Sequence, residues 1–120
     1  MTRQEMFDKS VQGMIDQGRL AKTSSGKCAY RKEVDGVICS CVIGQLIDDE
    51  TANSWDSLEV SDVMHISYRY TVDGVNYPFS SKDTKFLSIM QLAHDGSQTL
   101  NEFLDKAKGV ADQFDLDFKF

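Results

Sequence analysis

The side chains of this chain that could do chemistry are Cys28, Cys39, Cys41, His65, His94 and Asp95. Thiolates and imidazole suit a tetrahedral zinc site, and Cys39 and Cys41 share a face of any extended segment. His94 or His65 would have to complete that set. The paired Cys-x-x-Cys spacing of structural zinc sites is absent from the sequence, so no metal site is expected. Cys28 with His94 and Asp95 has the composition of a cysteine hydrolase, in which imidazole activates the thiol and a carboxylate orients the ring. Adjacent residues on a helix point in different directions, so Asp95 is not expected to orient His94. No catalytic signature surrounds Cys28. The expectation is that Cys28, Tyr30, Cys39, Gly44 and His94 form a structural motif with no catalytic residue. A small cysteine-dependent enzyme or zinc protein using Cys28, Cys39, Cys41 and His94 is the alternative.

Gly36 and Gly44 stand too far apart to cradle a phosphate, and no nucleotide-binding pattern occurs, so no cofactor is expected. Tyr30 and Arg31 fall on opposite faces of an extended segment. Tyr30 is expected in the core and Arg31 at the surface, where it can grip a carboxylate or phosphate. Trp55 becomes an interface anchor if it is exposed. His94-Asp95-Gly96 reads as a helix end, with the histidine near the last carbonyls and Gly96 in the left-handed cap conformation.

These residues need a scaffold, and 120 residues with 41% apolar content suffice for one domain over 1–120. No apolar run is long enough to span a membrane, and residues 1–5 lack the apolar core of a signal peptide. Three cysteines cannot all pair within the chain, which favours reduced thiols and a cytoplasmic setting. The net charge of -6 is uneven. Residues 1–32 carry seven basic and three acidic side chains, and the remainder six basic and sixteen acidic. Such acidity disfavours nucleic-acid binding and favours a protein partner.

Thr2 and Glu5 form a capping box before an amphipathic helix over about 3–17, with Phe7, Val11, Met14 and Ile15 on one face and Gly18 as its stop. Residues 20–27 read as a loop. Residues 28–31 and 37–40 predict a hairpin closed around Glu33-Val-Asp-Gly36, and 42–47 a short helical turn. A short helix from Ser57 through about Met64 would turn Leu58, Val60 and Val63 inward. The alternation of Ile66, Tyr68, Tyr70 and Val72, then Val75, Tyr77 and Phe79, predicts a second, aromatic hairpin over 66–79. Ser80 and Asp83, then Thr99 and Glu102, open a C-terminal helical hairpin whose first member ends at Gly96. The period of two in Phe114, Leu116, Phe118 and Phe120 predicts a final strand. The fold class is α+β.

Cys28-Ala-Tyr-Arg31, Cys39, Val42-Ile-Gly-Gln-Leu-Ile47 and Gln91-Leu-Ala-His-Asp95 together resemble a family of uncharacterised small proteins of tailed bacteriophages and prophage regions. The likeness spans the N-terminal half and the helix ending near Asp95. Gln45 stands where a further Cys is common, and Asp48 where Pro often follows Leu-Ile. The 66–79 segment is more elaborate than the family pattern and reads as an insertion specific to this member. The resemblance implies a phage origin and carries no biochemical activity.

The expected function is therefore that of a non-enzymatic phage accessory protein in the cytoplasm of the infected host. It would bind a host or phage protein and thereby modulate or inhibit, for example, a defence protein. The interface candidates are Arg31, Trp55, Tyr68, Tyr70 and Tyr77. A self-associating structural protein, a homodimer burying the tyrosine face, is the remaining alternative.

Overall fold

A computed structural model describes residues 1–22, 29–58 and 62–120. The expectations for Cys28 and Val60 lie outside the described residues. The elements run α1 (Arg3–Gln17), β1 (Arg31–Val34), β2 (Val37–Ser40), a 3-10 turn (Gly44–Leu46), α2 (Asp49–Asp56), α3 (Val63–Asp73), a second 3-10 turn (Ser81–Asp83), α4 (Thr84–Asp95) and α5 (Leu100–Gln113). This is a small α+β domain with an N-terminal helix, a β-hairpin and a C-terminal helical region.

Helix α1 starts where its capping box predicts. Thr2 Oγ1 accepts the Glu5 N–H at 3.1 Å, and the Glu5 carboxylate accepts the Thr2 N–H at 2.7 Å. Those bonds hold the Glu5 carboxyl below its ordinary range. Gly18, at φ 78°, closes the helix in the left-handed conformation that glycine adopts freely. Met6, Phe7, Val11 and Met14 enter the core, and Ser10 joins them by donating to the Val42 carbonyl at 2.9 Å.

The hairpin turns more tightly than its sequence suggests. Its strands pair Arg31 with Ser40, Lys32 with Cys39, Glu33 with Ile38 and Val34 with Val37, which leaves Asp35-Gly36 as a two-residue turn. Both turn residues have positive φ, 52° and 81°, the geometry of the primed turn favoured by Asp-Gly. Two glutamines of α1 then serve extended backbone as a neighbouring strand would. The Gln17 carboxamide accepts the Ser40 N–H at 2.9 Å and donates to its carbonyl at 2.8 Å. At the other end of α1, Gln4 does the same for Asp117, at 2.9 and 3.0 Å.

That second contact explains the C-terminus. Residues 116–120 form no strand; they lie against α1. Phe7 meets the rings of Phe118 and Phe120 at 6.3 and 6.5 Å, and a glutamine side chain takes the place of a sheet partner. The alternation is real, with Phe114, Leu116 and Phe118 packed inward, but it reflects packing on helices.

The predicted hairpin over 66–79 is helix α3 followed by a coil. Asp62 caps α3 by accepting the His65 N–H at 2.9 Å, Gly74 at φ 71° ends it, and Arg69 pairs with Asp73 one turn on. Val63 and Ile66 face the core at helical spacing. The apolar residues of this segment satisfy a period of two and a period of 3.6 together, and the caps decide for the helix. The boundary before it also shifts. Ser57 is the C-cap of α2 rather than a start, because Asp48 opens α2 by accepting the Thr51 N–H at 2.7 Å.

Gly96 ends α4 with φ -84°, outside the left-handed region. Side chains satisfy the last carbonyls instead. Ser97 Oγ donates to Ala93 O at 2.6 Å, the Lys22 ammonium to Asp95 O at 2.7 Å and the Lys106 ammonium to Gly96 O at 2.7 Å. Arg3 ties α1 to the start of α4. Its guanidinium pairs with Asp83 at 3.0 Å and lies over the rings of Phe86 and Phe114 at 5.6 and 5.3 Å.

Candidate functional site

The motif residues converge where β1 meets the turn after β2. Gly44 is there for want of a side chain: a Cβ on it would lie 2.2 Å from the Tyr30 carbonyl oxygen. The close approach lets the Arg31 guanidinium close over the turn. It donates to the carbonyls of Gly44 and Ile47, the latter at 2.9 Å, and to the Asp49 carboxylate at 3.1 Å. The two oxygens of Asp56 accept the Tyr30 and Arg31 N–H groups at 2.8 and 3.0 Å. Arg31 therefore acts as a clasp between strand and turn, with its donors directed at this chain's own carbonyls.

Tyr30 passes under the clasp into the core. Its ring meets Trp55 edge-on at 5.2 Å, and its hydroxyl accepts from Gln91 Nε2 at 3.1 Å. Gln91 Oε1 accepts the Val63 N–H at 2.8 Å, so one amide joins β1, α4 and the first turn of α3. Burial raises the Tyr30 phenol well above its ordinary range.

Cys39 and Cys41 are buried free thiols. Cys41 Sγ accepts the Gly44 N–H at 3.3 Å, and burial pushes its thiol up to about 12. Cys39 lies against the Val37 carbonyl at 3.7 Å, and burial raises its thiol as well. A nucleophilic or metal-binding cysteine needs the opposite shift. Among the described residues no group of three or more His, Cys, Asp or Glu is placed to hold a metal ion.

His94 is fully buried, and both its ring nitrogens are committed. Nε2 accepts the Ala21 N–H at 3.2 Å, which assigns the proton to Nδ1, donating to Asp95 Oδ1 at 2.9 Å. Asp95 thus does orient its neighbour, contrary to the expectation from helical direction. An aspartate at the end of α4 can fold its short side chain back over the adjacent ring. The pair has the form of a base and its orienting acid, but its other nitrogen reads backbone rather than a thiol. Its effect is to pin the chain after α1 to α4.

The interface candidates separate. Trp55 is buried, donating from Nε1 to the Asn76 carbonyl at 3.0 Å. Tyr77 is buried too, stacked on Trp55 at 6.2 Å with its hydroxyl 2.6 Å from Thr84 Oγ1. Tyr70 leans on Tyr77 at 6.1 Å and is half exposed, while Tyr68 points away on the outer side of α3. The three tyrosines therefore share no common face. Instead α3 exposes Met64, Tyr68, Tyr70 and Val72 by 54%, 64%, 53% and 59%.

Gln4, Gln17, Asp56 and Gln91 carry long-range polar ties, and of the four only Gln91 is buried. Gln91 alone had a signal, as the first residue of the Gln-Leu-Ala-His-Asp box. A surface groove of about 620 Å³ runs between α1 and the C-terminal segment, lined by Glu5, Lys9, Gln12 and Phe120 among others, away from the motif. Comparison with protein-family models, curated proteins and solved structures gives no match. No helix among the described residues is long and apolar enough to cross a membrane.

Proposed function

We propose that this chain is a non-enzymatic bacteriophage accessory protein that acts by binding another protein in the cytoplasm of the infected host. The observation that carries the reading is the outer face of α3, where Met64, Tyr68 and Val72 stand more than half exposed on one short helix. Isolated exposed apolar residues are ordinary, but three in one stripe on eleven residues resemble an interface. The motif side chains support it from the other direction: Arg31, Cys41 and His94 are spent on holding backbone. The likeness to phage proteins supplies the setting, and the net charge of -6 suits a host target with a basic surface, such as a defence protein that handles nucleic acid.

The test is capture from lysate of infected host cells at moderate salt, using the full chain and a Met64→Ser/Tyr68→Ser variant. The wild-type chain should retain a reproducible protein that the variant loses. Equal recovery by both, or none by the wild type, contradicts the reading.

A further inference from the structure

We propose that the cleft lined by Met6, Leu46, Phe79 and Asp83 binds a small zwitterion with an apolar body, the chemistry of a free α-amino acid such as leucine. The cleft is separate from the α3 face. What points to it is a carboxylate that its own helix does not use. Thr2, Asp48, Asp62 and Thr99 each cap the helix they precede through a side-chain oxygen. Asp83 precedes α4 and makes no cap bond. Its side chain turns toward α1 instead, where Oδ1 alone accepts Arg3 Nε at 3.1 Å and Arg3 Nη2 at 3.0 Å. Two donors thus fall on one oxygen, and Oδ2 has no hydrogen-bond partner among the described residues. Among those residues no fully buried side-chain oxygen or nitrogen lacks a partner, so Oδ2 reaches solvent although Asp83 is only 7% exposed. The surface that Asp83 lines is a cleft of about 420 Å³. Ligand sites commonly enclose roughly 300–1,000 Å³.

The other lining residues name the ligand. Met6 from α1, Leu46 from the first 3-10 turn, and Pro78 and Phe79 from the coil after α3 give the cleft apolar walls. Lys82 lines it beside Asp83, and its ammonium has no partner among the described residues. Oδ2 accepts, so it takes an ammonium; the Lys82 ammonium donates, so it takes a carboxylate. Arg3 already neutralises Asp83, and Lys82 then leaves these three side chains with one positive charge in excess. A bare amine is therefore disfavoured, and a bare carboxylate leaves Oδ2 unused. A ligand with both groups on adjacent atoms meets both ends, and its apolar side chain lies on Met6, Leu46 and Phe79.

Amide-resolved NMR of the full chain, titrated with L-leucine, L-leucinamide and isocaproate, tests the proposal. Leucine should give saturable shifts at residues 46 and 79–84 in the millimolar range. Leucinamide lacks the carboxylate and isocaproate the amine, so each should bind about tenfold more weakly, the loss of one charge-assisted hydrogen bond. Lys82→Ala removes an exposed side chain and should make leucine and leucinamide bind alike. Asp83→Asn keeps an acceptor for Arg3 and should erase the preference for leucine over isocaproate, its folding checked by a thermal melt. Should Asp83→Asn not fold, the Lys82→Ala comparison alone decides. No saturable shift, shifts centred away from the cleft, equal affinity for the three compounds, or a preference for leucine over leucinamide that survives Lys82→Ala overturns the proposal.

Discussion

Gln91 Nε2 donates to the Tyr30 hydroxyl at 3.1 Å across 61 residues of sequence, in the buried interior. The same amide accepts the Val63 N–H, so Gln91 ties Tyr30 to the helix bearing the exposed face. Gln91→Leu keeps the volume and removes both hydrogen bonds. It should cost about 2–3 kcal/mol in urea denaturation, the penalty for unsatisfied buried polar groups. A loss below about 0.5 kcal/mol would show that water replaces both bonds.

The glycines divide by what surrounds them. Gly44→Ala drives a Cβ into the Tyr30 carbonyl, which as backbone cannot yield, and should destabilise by about 2–3 kcal/mol. Gly109 lies within α5 with nothing near its virtual Cβ, so Gly109→Ala should stabilise by about 0.5–1 kcal/mol. Thermal melts of the two variants should therefore move in opposite directions.

At the end of α5, Asp115 holds φ 56° while the Leu116 N–H reaches back to Ala111 O at 2.8 Å. This is a left-handed helix cap built on a residue other than glycine. Asp115→Gly relieves its strain and should raise stability by about 0.5 kcal/mol. A decrease would mean that the larger freedom of glycine in the unfolded chain outweighs the relief.

Stability should also fall in alkali. Burial raises the Cys41 thiol from an ordinary 9.0 to about 12. A raised acid favours the folded state fully below the unfolded value, and the benefit is lost as pH climbs from about 9 toward 12. For Cys41 alone the difference is worth roughly 4 kcal/mol, and the raised Tyr30 phenol adds in the same direction. Urea midpoints measured from pH 8 to 11 should decline steadily, and a Cys41→Ala variant should decline less.

The sequence made α1, α5 and the Asp-Gly turn readable because their signals are local, whereas the Ser80–Asp83 box makes no side-chain cap bond and opens a 3-10 turn before α4. Thr2 with Glu5 and the Asp35-Gly36 pair need no distant partner to act. The segment holding Ile66, Tyr68, Tyr70 and Val72 misled because two periods fit it and only the Asp62 and Gly74 caps discriminate. Phe114–Phe120 misled because alternation reports burial and cannot tell a strand from a chain laid across helices. The clasp was half legible: Tyr30, Gly44 and Cys39 stood out by type. Their long-range ties through Gln91, Asp56 and Gln17 did not, since a polar residue shows no sequence trace of the carbonyl or amide it will meet.

The central proposal is that Cys39 and Cys41 serve the fold as buried, protonated thiols. Native-state thiol titration of a Cys28→Ser chain at pH 8, repeated through increasing urea, tests it most directly. Cys39 and Cys41 should stay unreactive until the global unfolding transition and then appear together. Rapid modification of either thiol in the folded chain, with a rate profile marking ionisation below pH 8, would contradict the account.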